Sequence, residues 1–205
     1  MFPPIRPNYL SSLAKLLAEQ KGKHKVFVSY YHQDDEYYRI QFEQLFGHLF
    51  INKSVKPGDI DTDISTDYIK KLIQDNHISD ASVLAVLVGP KTYCRKHVDW
   101  EMSAALNKKV NGYSGLIGLV LPTHPAYYSL NDKYDESTVP ERLNDNVVTG
   151  YAKVYRWTED SAKMEKYIEE AFNARIDKNT LIDNSRIQYQ KNRCVNGTLQ
   201  DLFGL

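Results

Sequence analysis

Short apolar segments that predict strands alternate along the chain with segments of helical spacing. Residues 25–30 predict a first buried strand, and residues 82–88 and 115–121 are continuous apolar runs, which is typical of strands covered on both faces. A short strand at residues 50–51 and a last strand at 154–157 complete the series. This alternation predicts an α/β fold with a doubly wound parallel sheet of about five strands and helices on both faces.

Apolar residues spaced three and four apart predict the helices. The first helix follows the first strand, is capped by Asp34 or Asp35 and ends near Gly47, and a second helix begins at Ser65. Two later helices have inward-facing stripes, Val98, Met102, Ala105 and Leu106 in one and Met164, Tyr167, Ile168, Ala171 and Phe172 in the other.

The predicted organisation has three parts. Residues 1–23 form an amphipathic helical extension, residues 24–175 form the α/β domain, and residues 176–205 form a polar tail. Within the domain, residues 123–150 are polar and rich in tyrosine, which predicts a long loop. The apolar stripe of the extension needs a covering surface, either on its own domain or on another copy of the chain.

The composition narrows the classes of partner. The 205 residues include 26 Lys+Arg and 26 Asp+Glu, so the formal net charge is zero, and we expect no nucleic-acid partner. No stretch approaches the roughly 20 apolar residues of a membrane span, and no signal peptide precedes the domain, so we expect a cytoplasmic protein without a membrane partner. Cys94 and Cys194 match no zinc-site spacing, so we expect two reduced thiols and no metal.

Ligands of doubly wound sheets bind outside the carboxyl ends of the strands. No Gly-x-Gly-x-x-Gly segment follows the first strand and no Walker-type loop is present, which argues against a Rossmann dehydrogenase and a P-loop enzyme. Polar and aromatic residues at the end of the first strand predict a nucleotide-contacting loop, although a helix cap with surface tyrosines has the same pattern. These residues are Ser29, Tyr30, Tyr31, His32 and Gln33.

Glu101 follows the central strand and is predicted in the first turn of the next helix, at the flank near the sheet edge. The helix dipole stabilises a carboxylate there, so an ordinary exposed glutamate explains the position as readily as a catalytic one. Trp100 is a stacking candidate or a packing residue. Cys94 with His97 lacks a third orienting group for nucleophilic catalysis, and the basic residues beside it form a small positive patch.

Two segments of the chain resemble a known family. Residues 26–30, Val-Phe-Val-Ser-Tyr, followed by Asp34, are similar to the first strand of TIR domains. Residues 82–102 resemble the central strand and catalytic helix of the bacterial TIR-like family of Thoeris anti-phage systems, the ThsB type. The likeness covers residues 24–157, and the block Val-Asp-Trp-Glu at 98–101 is its most specific part.

The resemblance implies a flavodoxin-like TIR fold and an enzyme that cleaves the nicotinamide–ribose bond of NAD⁺. The expected product is a cyclic ADP-ribose isomer, which activates a separate effector protein after phage infection. Glu101 corresponds to the catalytic carboxylate and Ser29 to Gln33 correspond to the nucleotide-contacting region, with Trp100 available to stack on a ring. NAD⁺ is the substrate, and no metal or bound organic cofactor is implied. An active form assembled from several copies is implied as well.

Two other functions fit the sequence. A non-catalytic TIR-like interaction module would share the fold and leave Glu101 as a surface acid. A nucleoside deoxyribosyltransferase-like enzyme would use a glutamate near a glycosidic carbon on a related fold, and it would leave NAD⁺ unchanged. The Arg-Asp-x-x-Pro-Gly loop of receptor TIR domains survives only as Lys56-Pro57-Gly58, which argues against receptor-style adaptor docking.

Overall fold

The computed structural model describes residues 23–53, 78–129 and 135–194. The strands are β1 (Lys25–Ser29), β2 (Ile51–Asn52), β3 (Val83–Val88), β4 (Gly115–Val120) and β5 (Lys153–Arg156), and the helices are α1 (His32–Phe46), α2 (Lys96–Ala105), α3 (Glu141–Val148) and α4 (Ser161–Asp177). The five strands form one sheet in the order β2-β1-β3-β4-β5, and every neighbouring pair is parallel. The expected flavodoxin-like α/β fold is confirmed.

The centre of the sheet is covered on both faces. All six residues of β3 and all six of β4 are buried, with Val83 paired to Gly115 and Val88 to Val120. This two-sided burial is the reason for the continuous apolar runs in the sequence. Helices α1 and α4 pack on one face, and α2 and α3 pack on the other. The first layer includes Phe42, Phe46, Met164 and Ile168, and the second includes Val98, Met102, Leu106 and Leu143.

A helix lies where the sequence predicted one long loop, so the prediction for residues 123–150 is wrong. Helix α3 buries Leu143 against the sheet, but it also buries Arg142 and Asn146. These polar side chains find partners more than 35 residues away in sequence, such as Asp99 for Arg142. The residues that neighbour Arg142 and Asn146 in sequence therefore do not indicate that these two side chains are buried.

The two cysteines are joined, contrary to the expectation of reduced thiols. Cys94 precedes α2, and Cys194 lies 100 residues later at the end of residues 183–194, which we call the C-terminal segment. The Cα atoms of the two cysteines are 5.2 Å apart and their sulfur atoms form a disulfide bond. The bond is possible because the C-terminal segment, part of the predicted polar tail, lies against α2.

Several predictions fall outside the described residues. They concern the amphipathic extension, the loop remnant Lys56-Pro57-Gly58 and the helix expected from Ser65. Among the helices that the structure describes, none is both long and apolar enough to cross a membrane.

Candidate functional site

Glu101 lies in the second turn of α2, so its prediction in the first turn is wrong. The helix begins only at Lys96, because residues 92–94 form a short 3-10 turn after β3. Ser29, the last residue of β1, donates a hydrogen bond from Oγ to Oε2 of Glu101 at 2.5 Å. This bond joins the carboxyl end of β1 to α2 and places the Glu101 carboxyl group at the ligand-binding edge of the sheet.

The surroundings of Glu101 favour its protonated form. Burial raises the pKa of its carboxyl group to about 8, and the hydrogen bond from Ser29 lowers it by a smaller amount. The side chain is still partly accessible. At neutral pH the resting site therefore holds a protonated carboxyl group, which a neighbouring positive charge would convert to the carboxylate.

Tyr30 and His32 extend the site beyond Ser29. The Tyr30 hydroxyl donates to Oε2 of Glu36 at 2.6 Å, and the Tyr30 and His32 rings are 4.3 Å apart. Burial raises the pKa of Tyr30, and the charges of Glu36 and Glu101 contribute to the shift. The structure thus brings Ser29, Tyr30 and Glu101 together, with His32 exposed beside them.

Tyr31 and Gln33 form a separate contact. The Tyr31 hydroxyl donates to Oε1 of Gln33 at 2.5 Å. The guanidinium carbon of Arg95 lies 3.5 Å from the centre of the Tyr31 ring, and only 8% of Tyr31 is exposed. One face of this ring is covered by Arg95 and the residue is largely buried, so the structure shows Tyr31 in a packing contact.

Asp35 connects the start of α1 to the loop that leads into α2. It is fully buried, and its Oδ2 accepts a hydrogen bond from Thr92 Oγ1 at 2.9 Å. Burial raises the pKa of Asp35 to about 6. A side chain at Gly89 would collide with the Asp35 carboxyl group, so a larger residue there would have to displace that group from its hydrogen bond with Thr92. The predicted cap is absent: Tyr31 occupies the N-cap of α1 without a side-chain cap bond.

Trp100 lies on another face of α2, under the C-terminal segment. Its indole Nε1 donates to the backbone oxygen of Tyr189 at 2.8 Å, and only 3% of the side chain is exposed. Asp99 beside it accepts from the Tyr189 backbone N–H and from Nε of Arg142, both at 2.8 Å. The structure therefore does not bring Trp100 together with Ser29 and Glu101.

His97 is a site residue that the sequence interpretation missed. It lies four residues before Glu101 on α2, so the two side chains share a helix face. Burial, together with the charges of His32, Lys96 and Arg95, lowers the pKa of His97 to about 4, so the ring is neutral at physiological pH. The spacing of four residues was the available signal, but the basic neighbours suggested a charged patch.

Metal binding finds no support in the described ranges. Within residues 23–53, 78–129 and 135–194 there is no group of three or more His, Cys, Asp or Glu side chains that could hold an ion. The chemistry available at this edge is that of a carboxyl group, a hydroxyl group and neutral imidazoles.

The five-stranded parallel sheet, with Glu101 on the helix after its central strand, is consistent with the flavodoxin-like fold of a TIR-like domain. Comparison with protein families identifies the particular family: residues 27–126 match the family described as Thoeris protein ThsB, TIR-like domain. This part of the chain, which includes Ser29 and Glu101, is therefore similar to a TIR-like domain of the Thoeris ThsB type. No curated protein matches the chain.

Proposed function

We propose that the protein cleaves the bond between nicotinamide and ribose in NAD⁺ and closes the remaining ADP-ribose into a cyclic isomer. Glu101 acts as the catalytic carboxylate. The observation that carries the proposal is the largely buried Glu101 carboxyl group, held by Ser29 at the carboxyl edge of a parallel sheet. The match of residues 27–126 to the Thoeris ThsB TIR-like family supports the assignment.

The charge of the substrate explains how Glu101 becomes active. The nicotinamide ring of NAD⁺ is a pyridinium cation, and a cation beside a carboxyl group lowers the pKa of that group. Substrate binding therefore drives the Glu101 proton into solvent. The carboxylate forms only when the positive charge that it has to stabilise is present.

Cleavage transfers positive charge from the ring to the ribose. The electron pair of the breaking C–N bond goes to the nicotinamide nitrogen, and the ribose becomes oxocarbenium-like, as in glycoside hydrolysis. A carboxylate that is already oriented stabilises this charge without the reorganisation that water would require. The hydrogen bond from Ser29 provides the orientation.

Cyclisation needs a nucleophile from the adenosine half of the same molecule. A ribose hydroxyl or a base nitrogen attacks the oxocarbenium carbon, and a hydroxyl nucleophile gives its proton to water. A folded substrate and a site with little water favour this reaction over hydrolysis. The buried Tyr30 ring and the partly covered Glu101 limit the access of water at this edge.

The proposal includes the partners and the setting of the reaction. NAD⁺ is the substrate, and no bound organic cofactor takes part. The product passes to a separate effector protein in the cytoplasm. The active form is an assembly of several copies of the chain.

Mass spectrometry of infected cells tests the proposal. Cells express the wild-type protein, Glu101→Gln, or Glu165→Gln, a control at an exposed position of α4. We expect nicotinamide and a cyclic ADP-ribose isomer to accumulate with the wild type and the control, but not with Glu101→Gln. Cells protected from phage with unchanged NAD⁺ would support a non-catalytic module. Base exchange on deoxynucleosides would support the deoxyribosyltransferase.

A further inference from the structure

The His97 side chain is explained neither by the packing of the fold nor by the proposed charge stabilisation by Glu101. Its side chain is half-buried at the edge of the sheet. In the part of the chain that the structure describes, no hydrogen bond is formed by its ring. Polar groups that are taken out of water normally find a partner, so a half-buried imidazole without one is available for a ligand.

The basic residues beside His97 are turned elsewhere. The Lys96 ammonium lies 5.0 Å from the centre of the Trp100 ring, on the side of the C-terminal segment. The Arg95 guanidinium stacks on Tyr31 and is 2% exposed. The group presented next to Glu101 is therefore a neutral imidazole, with one N–H donor and one nitrogen acceptor.

We propose that His97 is a substrate-binding residue that hydrogen-bonds the carboxamide of the nicotinamide ring. The inference rests on the proposed function, because it takes Glu101 to contact the ribose. His97 and Glu101 are four residues apart, a separation of about 6 Å along the helix axis. The carboxamide is separated from the bond that breaks by the width of the pyridinium ring, so the two residues can engage the two ends of one nicotinamide riboside.

The chemistry of the carboxamide matches that of a neutral imidazole. The carboxamide offers an NH₂ donor, and the unprotonated ring nitrogen of a neutral imidazole accepts a hydrogen bond from it. The pKa of His97 near 4 also means that no positive charge faces the cationic ring. A lysine or an arginine at this position would repel the pyridinium.

Calorimetry on a protein that does not cleave NAD⁺ tests the inference. Glu101→Gln provides the background, and His97→Ala, His97→Asn and His48→Ala are added to it. His48 is an exposed histidine just after the end of α1 and serves as the control. The ligands are NAD⁺ and its acetylpyridine analogue, in which a methyl ketone replaces the carboxamide and removes the NH₂ donor.

We expect Glu101→Gln to bind NAD⁺ more tightly than the analogue. Adding His97→Ala should weaken NAD⁺ binding about tenfold, as loss of one hydrogen bond does, and should remove the preference for NAD⁺. His97→Asn, which keeps a donor and an acceptor, should restore part of both effects, and His48→Ala should change neither.

The outcomes separate the two proposals. Unchanged NAD⁺ affinity and unchanged preference in His97→Ala, with an intact melting temperature, would overturn the role of His97 and leave the function standing. Absence of NAD⁺ binding to Glu101→Gln and to every variant on that background would contradict the proposed function itself.

Discussion

The two faces of α2 differ in how completely their polar side chains are paired. Toward the C-terminal segment, both carboxyl oxygens of Asp99 accept hydrogen bonds and the Trp100 indole donates one. Toward the sheet edge, Glu101 has a single partner in Ser29, and the His97 ring has none among the described residues. One helix of ten residues thus carries a structural face and a face that is open to a ligand.

The difference shows how to separate a structural acid from a functional one. Asp99 is buried next to Arg142, so its charge is compensated inside the protein. Among the residues that the structure describes, no cation is paired with Glu101, and burial raises the pKa of its carboxyl group to about 8. A carboxyl group whose pKa is shifted this far, at the edge where ligands bind, is typical of a catalytic group.

Removing the compensating charge on the structural face should have the largest effect on stability. Arg142→Met leaves the buried Asp99 without its cation, and breaking a buried pair in this way costs about 3–5 kcal/mol. Urea unfolding measures the loss. The double variant Asp99→Leu/Arg142→Met removes both charges and should recover part of it. A cost below about 1 kcal/mol for Arg142→Met would show that this face is not held by the pair.

The disulfide bond should make the next largest contribution. It closes a loop of 100 residues between the start of α2 and the C-terminal segment. Cys194→Ser should lower the free energy of unfolding by about 2–4 kcal/mol in non-reducing buffer. Wild-type protein treated with a thiol reductant is the matched control and should unfold at the same urea concentration as Cys194→Ser. If reductant and substitution both leave the midpoint unchanged, the bond does not hold the segment on α2.

A smaller effect, with a distinctive pH dependence, is expected on the open face. A glutamate in water has a pKa of 4.5, and burial in the folded protein raises the pKa of Glu101 to about 8. Between these values the folded state holds a proton that the unfolded chain lacks. The contribution of Glu101 to stability is therefore present in full below pH 4.5 and is lost as the pH rises through 8. Glutamine does not titrate, so the stability of Glu101→Gln relative to the wild type should increase as the pH rises from 5 to 9.

The expected gain is on the order of 1 kcal/mol, because Glu101 is partly accessible and solvent screens part of the shift. Urea unfolding of both proteins at the two pH values measures it. If the stabilities of the wild type and Glu101→Gln change by the same amount between the two pH values, the pKa of Glu101 is not raised by folding.

The fold was predictable because its signals are local. The buried runs that became β3 and β4 are uninterrupted in the sequence, and the carboxyl edge that they define contains Ser29 and Glu101. The errors come from long-range pairs. Arg142 looks like a surface residue until Asp99, 43 residues earlier, is placed beside it. Trp100 is available for stacking in sequence, but Tyr189, 89 residues later, covers it.

His97 could not be evaluated from the sequence for the same reason. Its neighbours Arg95 and Lys96 suggest a cationic cluster. Only the fold shows that their charged groups lie against Tyr31 and Trp100 and leave a neutral imidazole beside Glu101.

The central claim is that the Glu101 carboxylate acts on NAD⁺, and the rate of nicotinamide release tests it most directly. Purified wild-type, Glu101→Gln and Glu165→Gln proteins are incubated with NAD⁺ and an extract of infected cells, and nicotinamide is followed by chromatography. We predict that Glu101→Gln is slower by a factor of about 100 or more, as expected for loss of a preorganised charge, with a melting temperature no lower than that of the wild type, and that Glu165→Gln matches the wild type. A Glu101→Gln protein that releases nicotinamide at the wild-type rate would contradict the account.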